Sequence, residues 1–286
     1  MSDAEDPIPK SDLPTRFAAA VAMIAVALVA IYVGGWVLRL LVLAGAALML
    51  IEWADMHKVP RTPAYIGVGL LALYLLGGTE YLYPAGEIDA IESDTGELVL
   101  GFTRESLQPA LWGFAAAAAG ALAMALVSRR LVMGWGFFYI AVPAFALAVL
   151  VWFDPALVLW LMVVTWATDI FAYFAGRGIG GPKLAPRISP NKTWAGLAGG
   201  IAGAAVCGAV VAWLLDLEPI FYFAGGPLGL IAQGGDLYES WVKRRAGVKD
   251  SGSILPGHGG VLDRLDGLLP VILATLGLLA LTLGSA

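Results

Sequence analysis

The side chains that could do chemistry are concentrated in two short segments of a chain that is otherwise mostly apolar. The first segment is 176–193, with the sequence GRGIGGPKLAPRISPNKT. The second is 235–266, which holds five acidic residues, five basic residues and one histidine. Mixed charges at this density exceed what the positive-inside signal of a membrane protein requires. We therefore expect the functional site to be built from these two segments and the helices that flank them.

Carboxylates in the second segment have the arrangement of a metal site. Asp236, Ser240 and Lys243 follow i, i+4 and i+7 spacing and share one helix face. Asp263 and Asp266 lie three residues apart where the last apolar run begins, and a helix N-terminus favours anions. Two carboxylates from separate helix ends suit Mg²⁺, which keeps positions open for phosphate oxygens. The simpler interpretations are that Asp236 is the first polar residue beyond the membrane and that Asp266 caps a helix.

Basic residues and glycines surround these carboxylates. Positive side chains could hold a polyphosphate, because an arginine can bind two oxygens at once. Gly257, Gly259 and Gly260 permit close backbone approach, so their N–H groups could cradle phosphate. His258 between them would contact phosphate or a base, or be a structural loop histidine. The basic candidates are Lys243, Arg244, Lys249 and Arg264.

An aspartate inside an apolar run precedes the first segment. Asp169 lies two turns before Arg177, and an ionisable residue at membrane depth is costly enough to suggest a function. An internal ion pair with Arg177 is the structural alternative. Further along, Ser189 is predicted to cap the next helix. Lys192 and Thr193 offer donors for an anion at the N-terminus of that helix.

The composition requires a membrane fold for these segments. Of 286 residues, 59% are hydrophobic and 14% are charged, whereas about a quarter of an average soluble domain is charged. Apolar runs close to the ~20 residues needed to cross a bilayer recur along the chain. We predict an all-α polytopic membrane protein with about nine transmembrane helices, at 17–34, 37–53, 62–78, 109–127, 131–153, 155–175, 194–215, 219–236 and 265–284.

The distribution of charge sets the predicted orientation. With a cytoplasmic N-terminus, 15 of the 17 Lys and Arg residues fall inside, as the positive-inside rule requires. The C-terminus then lies outside, and both polar segments face the cytoplasm of a bacterial-type membrane. The acidic segment 80–108 would lie outside, where IDAIES and ELVLGF predict a short hairpin. We divide the chain into N-terminal spans (1–130) and a catalytic membrane domain (131–286) with cytoplasmic loops at 176–193 and 237–264.

The motifs of the second segment resemble the phosphatidate cytidylyltransferase family, also called CDP-diacylglycerol synthase. DIFAYFAGR (169–177) and KLAPRISPNKTWAG (183–196) are similar to other segments of that family, so the resemblance covers about 160–270. The Glu52-Trp53 end of the second apolar run resembles the family more weakly. The signature residues are, in order, Ser240, Lys243-Arg244, Lys249-Asp250, His258-Gly259-Gly260 and Asp263-Arg264-Leu265-Asp266.

The resemblance implies that CMP moves from CTP to phosphatidic acid, giving CDP-diacylglycerol and pyrophosphate. A Mg²⁺ ion at Asp236 and Asp263 fits this reaction, the resemblance allows a second cation in the same site, and Lys249 and Arg264 join those aspartates as catalytic candidates. The expected partners are CTP, phosphatidic acid and membrane lipid, with no nucleic acid, and small-residue helix faces permit a homodimer. The substrate-binding candidates are Asp169, Arg177, Ser189, Lys192, Thr193, Ser240, Lys243, Arg244, Asp250, His258, Gly259, Gly260 and Asp266.

Two other functions are open to the sequence alone. A related cytidylyltransferase acting on another lipid phosphate would keep the same site and differ in its apolar cavity. A transporter of phosphorylated solutes would also need basic loops and an intramembrane aspartate, but it predicts broken helices near the middle of the membrane.

Overall fold

Helices form almost all of the described structure. The computed structural model describes residues 13–78, 90–92, 98–100, 108–254 and 259–285, with side chains within 21–78, 110–254 and 259–282. The helices are α1 (Leu13–Val33), α2 (Gly35–Met56), α3 (Arg61–Ala72, continued by a π-helical stretch Leu73–Gly78), α4 (Gln108–Ser128), α5 (Leu131–Phe153), α6 (Pro155–Gly178), α7 (Trp194–Leu214), α8 (Pro219–Ala246), α9 (Leu262–Leu265) and α10 (Leu268–Ser285).

These helices lie where the apolar runs predict them, since every one of the nine predicted segments overlaps a helix. Large apolar side chains such as Trp213 and Phe223 are exposed on the outer surface of the bundle, which suits lipid rather than water. The protein is therefore an integral membrane protein built from helices. Within the described residues, five helices are long and apolar enough to cross a membrane, namely Gly35–Met56, Ala110–Ser128, Leu131–Phe153, Pro155–Gly178 and Trp194–Leu214.

Two short antiparallel hairpins accompany the helices. Strand β1 (Ala90–Glu92) pairs with β2 (Leu98–Leu100), which confirms the hairpin predicted from IDAIES and ELVLGF. Strand β3 (Lys183–Ala185) pairs with β4 (Ser189–Thr193). The first polar segment is therefore partly a hairpin, and β4 leads directly into α7.

The start of α7 differs from the prediction. Thr193, and not Ser189, caps this helix, because its side-chain oxygen accepts the N–H of Gly196 at 3.0 Å. Ser189 lies four residues too early, at the beginning of β4. The prediction of a Ser189 cap was wrong because the strand pairing with β3 continues up to Thr193.

Helix α8 is longer than its apolar run. It continues to Ala246 and ends at Gly247, which adopts the left-handed conformation with φ 77°. Lys243, Arg244 and Arg245 form its last turn, where positive charge is favoured by the helix dipole. The second polar segment therefore begins as helix, and its loop starts at Gly247 rather than at residue 237.

The last helix starts later than predicted. The short helix α9 carries Asp263, the chain bends at Asp266 and Gly267, and α10 begins at Leu268. Gly267 is buried against α8, where an added Cβ would lie 3.1 Å from the carbonyl oxygen of Ala232. Both aspartates thus precede the final membrane helix instead of lying in its first turn.

Small residues bring the central helices close together, as the GLAGGIAGAA run of α7 predicts. A Cβ at Gly200 would lie 2.9 Å from the carbonyl oxygen of Thr168 in α6. Trp160 of α6 donates from Nε1 to the carbonyl oxygen of Gly208 in α7 at 2.8 Å. Helices α6, α7 and α8 therefore form a tightly packed group that holds the two polar segments at one end.

Candidate active site

Four parts of the chain converge at the C-terminal end of α8. Lys192 of β4 contacts Asp236 of α8. Lys243, two turns later on α8, contacts Asp263 of α9. From α2, Glu52 accepts backbone N–H groups of residues 261 and 262. The structure thus joins the two polar segments, as expected, and adds the end of α2 to them.

Asp236 is the more accessible of the two predicted metal ligands. Its Oδ2 atom lies 2.5 Å from Lys192 Nζ, and its side chain is 32% exposed. Lys192 Nζ also donates to Oε1 of Gln233 at 2.8 Å, and Gln233 is buried on the same face of α8, one turn earlier. Asp169 of α6 lies within electrostatic range of Asp236 and Lys192. This part of the site combines two carboxylates with an ammonium group beside solvent.

Asp263 is more enclosed. Its Oδ1 atom lies 2.6 Å from Lys243 Nζ, and its carboxylate accepts the N–H groups of Ser251 at 3.0 Å and of Gly260 at 2.8 Å. Burial opposes ionisation of Asp263, but the Lys243 ammonium and these backbone N–H groups outweigh it and hold the pKa of Asp263 below its usual value. Asp263 is therefore a carboxylate at neutral pH.

Lys243 lies between two carboxylates. Its Nζ atom is 2.7 Å from Oε2 of Glu239 and 2.6 Å from Oδ1 of Asp263. The Lys243 side chain is 12% exposed and that of Glu239 is 0% exposed. The ion pair with Lys243 supports the buried Glu239, which also lies beside the carboxyl group of Asp266. In this structure Lys243 connects α8 to α9, whereas the sequence pattern assigns it to a phosphate.

Asp266 is a carboxyl group that the fold disfavours as an anion. Burial raises the pKa of Asp266 well above its usual value, and the charges of Asp236 and Glu239 act in the same direction. Its Oδ1 atom accepts the N–H of Gly267 at 2.8 Å. Asp266 therefore keeps its proton to a higher pH than an exposed aspartate does.

An Asp266→Asn variant tests this protonation. Because the pKa of Asp266 is higher in the folded than in the unfolded protein, its stabilising contribution is present at low pH and is lost as pH rises through the folded-state pKa. Asparagine is neutral throughout. We expect the thermal midpoint in detergent to fall less between mildly acidic and mildly alkaline pH in Asp266→Asn than in the wild type. Equal slopes for both proteins would contradict the assignment, and the exposed Asp216→Asn serves as the control.

Three residues of the site carry no role in the sequence analysis. Glu52 is 2% exposed and accepts hydrogen bonds from Ser251, Val261 and Leu262, which lie beside predicted site residues, and Gln233 is 5% exposed and accepts a hydrogen bond from Lys192. The signal for Glu52 is an acid in the last turn of an apolar helix. The signal for Glu239 is its i, i+4 spacing to Lys243. Gln233 gives only the weak signal of an amide inside a mostly apolar helix.

Several of the predicted basic residues are exposed to solvent. Lys249 and Arg264 are exposed. Arg244 is exposed as well, and it donates to the carbonyl oxygens of Ile188 at 3.4 Å and Val248 at 3.3 Å. Arg244 thus connects the β3–β4 hairpin to the end of α8.

The remaining predicted site residues differ in their contacts and exposure. Arg177 donates to the hydroxyl of Tyr173 at 3.3 Å, and no ion pair joins it to the described Asp169, so the alternative of an internal pair is wrong. Asp250 is exposed and Ser240 is half-buried on α8. Gly257 and His258 lie outside the described residues.

The glycines beside His258 support the loop. Gly259 adopts a φ of 82°, a conformation that favours glycine. A Cβ at Gly259 would lie 2.6 Å from Oδ2 of Asp263. The N–H of Gly260 is directed at Asp263. In this structure both glycines let the chain fold around the carboxylate of Asp263, and the phosphate cradle stays a prediction.

The carboxylates fit a magnesium ion only together with a ligand. Among the described residues, no group of three or more His, Cys, Asp or Glu side chains could hold a metal. Magnesium is commonly held by one or two carboxylates and by substrate phosphates. Asp236 could serve as such a carboxylate, because its oxygens are partly exposed and already contact a cationic group, the Lys192 ammonium.

Comparison with known protein families identifies the family of the chain. Residues 14–282 match the cytidylyltransferase family, which is nearly the whole chain. The chain belongs to the cytidylyltransferase family. It is therefore a nucleotidyltransferase rather than a transporter.

Relatives of this cytidylyltransferase match it over part or most of its length. A phosphatidate cytidylyltransferase of Brucella abortus biovar 1 is 37% identical over 271 residues, covering 91% of this chain and 90% of the relative. One of Bacillus subtilis is 34% identical over 275 residues, covering 94% and 98%. One of Helicobacter pylori is 46% identical over 120 residues, covering 41% and 44%.

Proposed function

We propose that this cytidylyltransferase transfers CMP from CTP to phosphatidic acid, forming CDP-diacylglycerol and pyrophosphate for phospholipid synthesis. The observation that carries the proposal is the position of the charged groups around Asp236, Lys192 and Asp263 at one end of a bundle of membrane helices. A soluble nucleotide and a lipid phosphate can both reach such a position. The relatives of Brucella abortus and Bacillus subtilis, whose alignments with this chain cover nine-tenths or more of their length, are named for this substrate.

The reaction makes limited demands on the protein. A phosphate oxygen of phosphatidic acid attacks the α-phosphorus of CTP, and the bond from that phosphorus to the bridging oxygen breaks, so that pyrophosphate leaves. A phosphate monoester has a second pKa of about 6 and is already largely ionised, so no general base is required. The protein must align the two phosphates and stabilise negative charge.

Basic groups of the two polar segments suit this task. The exposed side chains of Lys249, Arg264 and Arg244 would hold the triphosphate. Lys192, together with Ser189 and Thr193 of the same strand, would face the lipid phosphate. The substrate-binding assignments for Asp169, Arg177, Ser240 and Asp250 remain predictions.

Magnesium is the metal that this site would use. Asp236 and Asp263 would hold it, and a second cation in the same site stays part of the proposal. When bound, the ion supplies positive charge that stabilises the α-phosphate and the departing pyrophosphate. Asp236 would contribute its partly exposed carboxylate, and Asp263 would contribute a carboxylate that the N–H groups of Ser251 and Gly260 hold in place.

The proposal also includes the membrane topology of the chain. Nine membrane spans with a cytoplasmic N-terminus and an external C-terminus would put the site on the cytoplasmic face, where CTP is available. This orientation is supported by 15 of 17 basic residues on one side. The diacyl chains of phosphatidic acid would stay in the adjacent leaflet. A homodimer through small-residue helix faces is a further prediction.

The test uses protein purified in detergent, with phosphatidic acid, magnesium and CTP labelled at its α-phosphate. We expect label to enter the organic phase and to depend on both magnesium and phosphatidic acid. Transfer to a different lipid phosphate, with none to phosphatidic acid, would replace the proposed substrate. The absence of transfer to any lipid phosphate by folded protein would refute the proposal.

A further inference from the structure

We propose that Glu52 is a positioning residue of the active site, which holds the backbone around Asp263 in its working arrangement. Glu52 lies at the end of α2, far in sequence from the other site residues. The importance of this arrangement for catalysis rests on the function proposed above. The inference itself concerns the described backbone at Ser251 and at residues 259–262, and it can be tested without substrate.

Glu52 receives three hydrogen bonds from that segment. Its Oε1 atom accepts the N–H of Val261 at 2.8 Å, and its Oε2 atom accepts the N–H of Leu262 at 2.9 Å. Oε2 also accepts the hydroxyl of Ser251 at 3.1 Å. The side chain is 2% exposed. All three donors belong to one segment about 200 residues further along the chain, so Glu52 fixes the segment at both of its described ends.

Asp263 binds the same two ends of the segment. Ser251 gives its N–H to Asp263 and its hydroxyl to Glu52. Gly260 gives its N–H to Asp263, and the next two N–H groups go to Glu52. The two carboxylates therefore share one set of backbone donors, and a change at Glu52 must alter the surroundings of Asp263.

Two glycines make room for Glu52. A Cβ at Gly260 would lie 2.6 Å from Glu52 Oε2, and a Cβ at Gly252 would lie 2.9 Å from Glu52 Oε1. Contacts this short exclude any larger residue unless Glu52 moves and, at Gly260, unless the still closer hydroxyl of Ser251 moves as well. In this structure Gly260 leaves space for Glu52, which is a different role from the phosphate cradle predicted from the sequence.

Glu52 is itself held by a rigid support. The neighbouring Trp53 is 1% exposed and donates from Nε1 to the carbonyl oxygen of Val132 in α5 at 2.9 Å. Trp53 also packs against the ring of Tyr139. The end of α2 is therefore fixed to α5, and a carboxylate on a fixed helix can define where a loop lies.

The decisive variant is Glu52→Gln, which keeps the size of the side chain. Glutamine offers one acceptor oxygen where the carboxylate offers two, and its amide group would face a backbone N–H. At least one of the N–H groups of Val261 and Leu262 then loses its acceptor. Ser251→Ala removes only the hydroxyl bond, and Glu218→Gln, at the other end of α8, is the matched control.

Hydrogen exchange of the substrate-free protein in detergent provides the first measurement. We expect the amides of Ser251, Val261 and Leu262 to exchange at least about tenfold faster in Glu52→Gln, with peptides from α5, α6 and α7 unchanged. Ser251→Ala should give a smaller increase, and Glu218→Gln none. Unchanged exchange at these amides, or faster exchange throughout the protein, would overturn the proposal.

Kinetics on the same variants provides the second measurement. We expect kcat of Glu52→Gln to fall about ten- to a hundredfold, as for a misplaced catalytic group, with a smaller change in KM for CTP. A loss of activity that only follows a loss of folded protein, with kcat per folded molecule unchanged, would also overturn it. If the wild type transfers no CMP, the proposed function fails, while the exchange data still decide the role of Glu52 in the loop.

Discussion

Replacing Asp236 with asparagine is expected to slow cytidylyl transfer by about a hundredfold or more while the helix bundle stays folded. Asp236 is the accessible carboxylate of the proposed metal site, with 32% of its side chain exposed and Lys192 beside it. Asparagine has nearly the same shape but no negative charge. The variant therefore keeps the packing of α8 and loses the attraction for a cation.

The measurement is the initial rate at which label moves from CTP to lipid, at several magnesium concentrations. Each rate is divided by the amount of folded protein. Asp55→Asn is the matched control, because Asp55 is exposed near the end of α2, where its carboxylate pairs with Arg61 at 2.9 Å. We expect the control to retain wild-type rates. Near-normal activity of Asp236→Asn would remove Asp236 from the metal site.

Asp263→Asn is expected to abolish turnover as well, but it is a less direct test of metal binding. Asp263 also holds Lys243, Ser251 and Gly260. An amide in its place would disturb the loop even if no metal bound there. For this reason the assignment of a metal ligand depends mainly on Asp236.

Much of the fold could be predicted because its physical causes are local. Apolar runs of membrane length gave the positions of the helices, and alternating residues gave the β1–β2 hairpin. The meeting of the two polar segments followed from their position at helix ends. The Lys192–Asp236 contact confirms that expectation.

The errors concern what happens beyond the apolar runs. Helix α8 continues through charged residues to Ala246, because lysine and arginine are good helix formers and suit a helix C-terminus. A hydropathy pattern marks the membrane part of such a helix and not its end. The same limit applies to the bend at Gly267, which depends on contact with α8.

The partners of individual side chains could not be derived from spacing alone. Asp236 and Lys243 share a face of α8, but seven residues of helix separate them by about 10 Å. Asp236 therefore meets the hairpin and Lys243 meets α9. Glu52 was missed as a site residue because its donors are about 200 residues away, and no local pattern encodes such a contact.

Lys243→Met is expected to lower the free energy of unfolding by about 3–5 kcal/mol, because it leaves buried carboxylates without their counter-charge. Glu239 is 0% exposed and Asp263 is 7% exposed, and Lys243 Nζ lies within 2.7 Å of both. Methionine fills a similar unbranched volume. The loss therefore reports the charge and not a cavity, and it can be measured by denaturant titration in mixed micelles.

A second substitution separates this structural role from phosphate binding. Adding Glu239→Gln to Lys243→Met removes one of the orphaned charges, so we expect it to restore part of the lost stability. Restoration in the double variant would show that Lys243 acts through Glu239. If Lys243→Met is instead as stable as the wild type and raises KM for CTP, the side chain binds triphosphate as the sequence pattern predicts. The geometry favours the first result, because the two carboxylates in contact with Lys243 neutralise its positive charge and so weaken its attraction for a third anion.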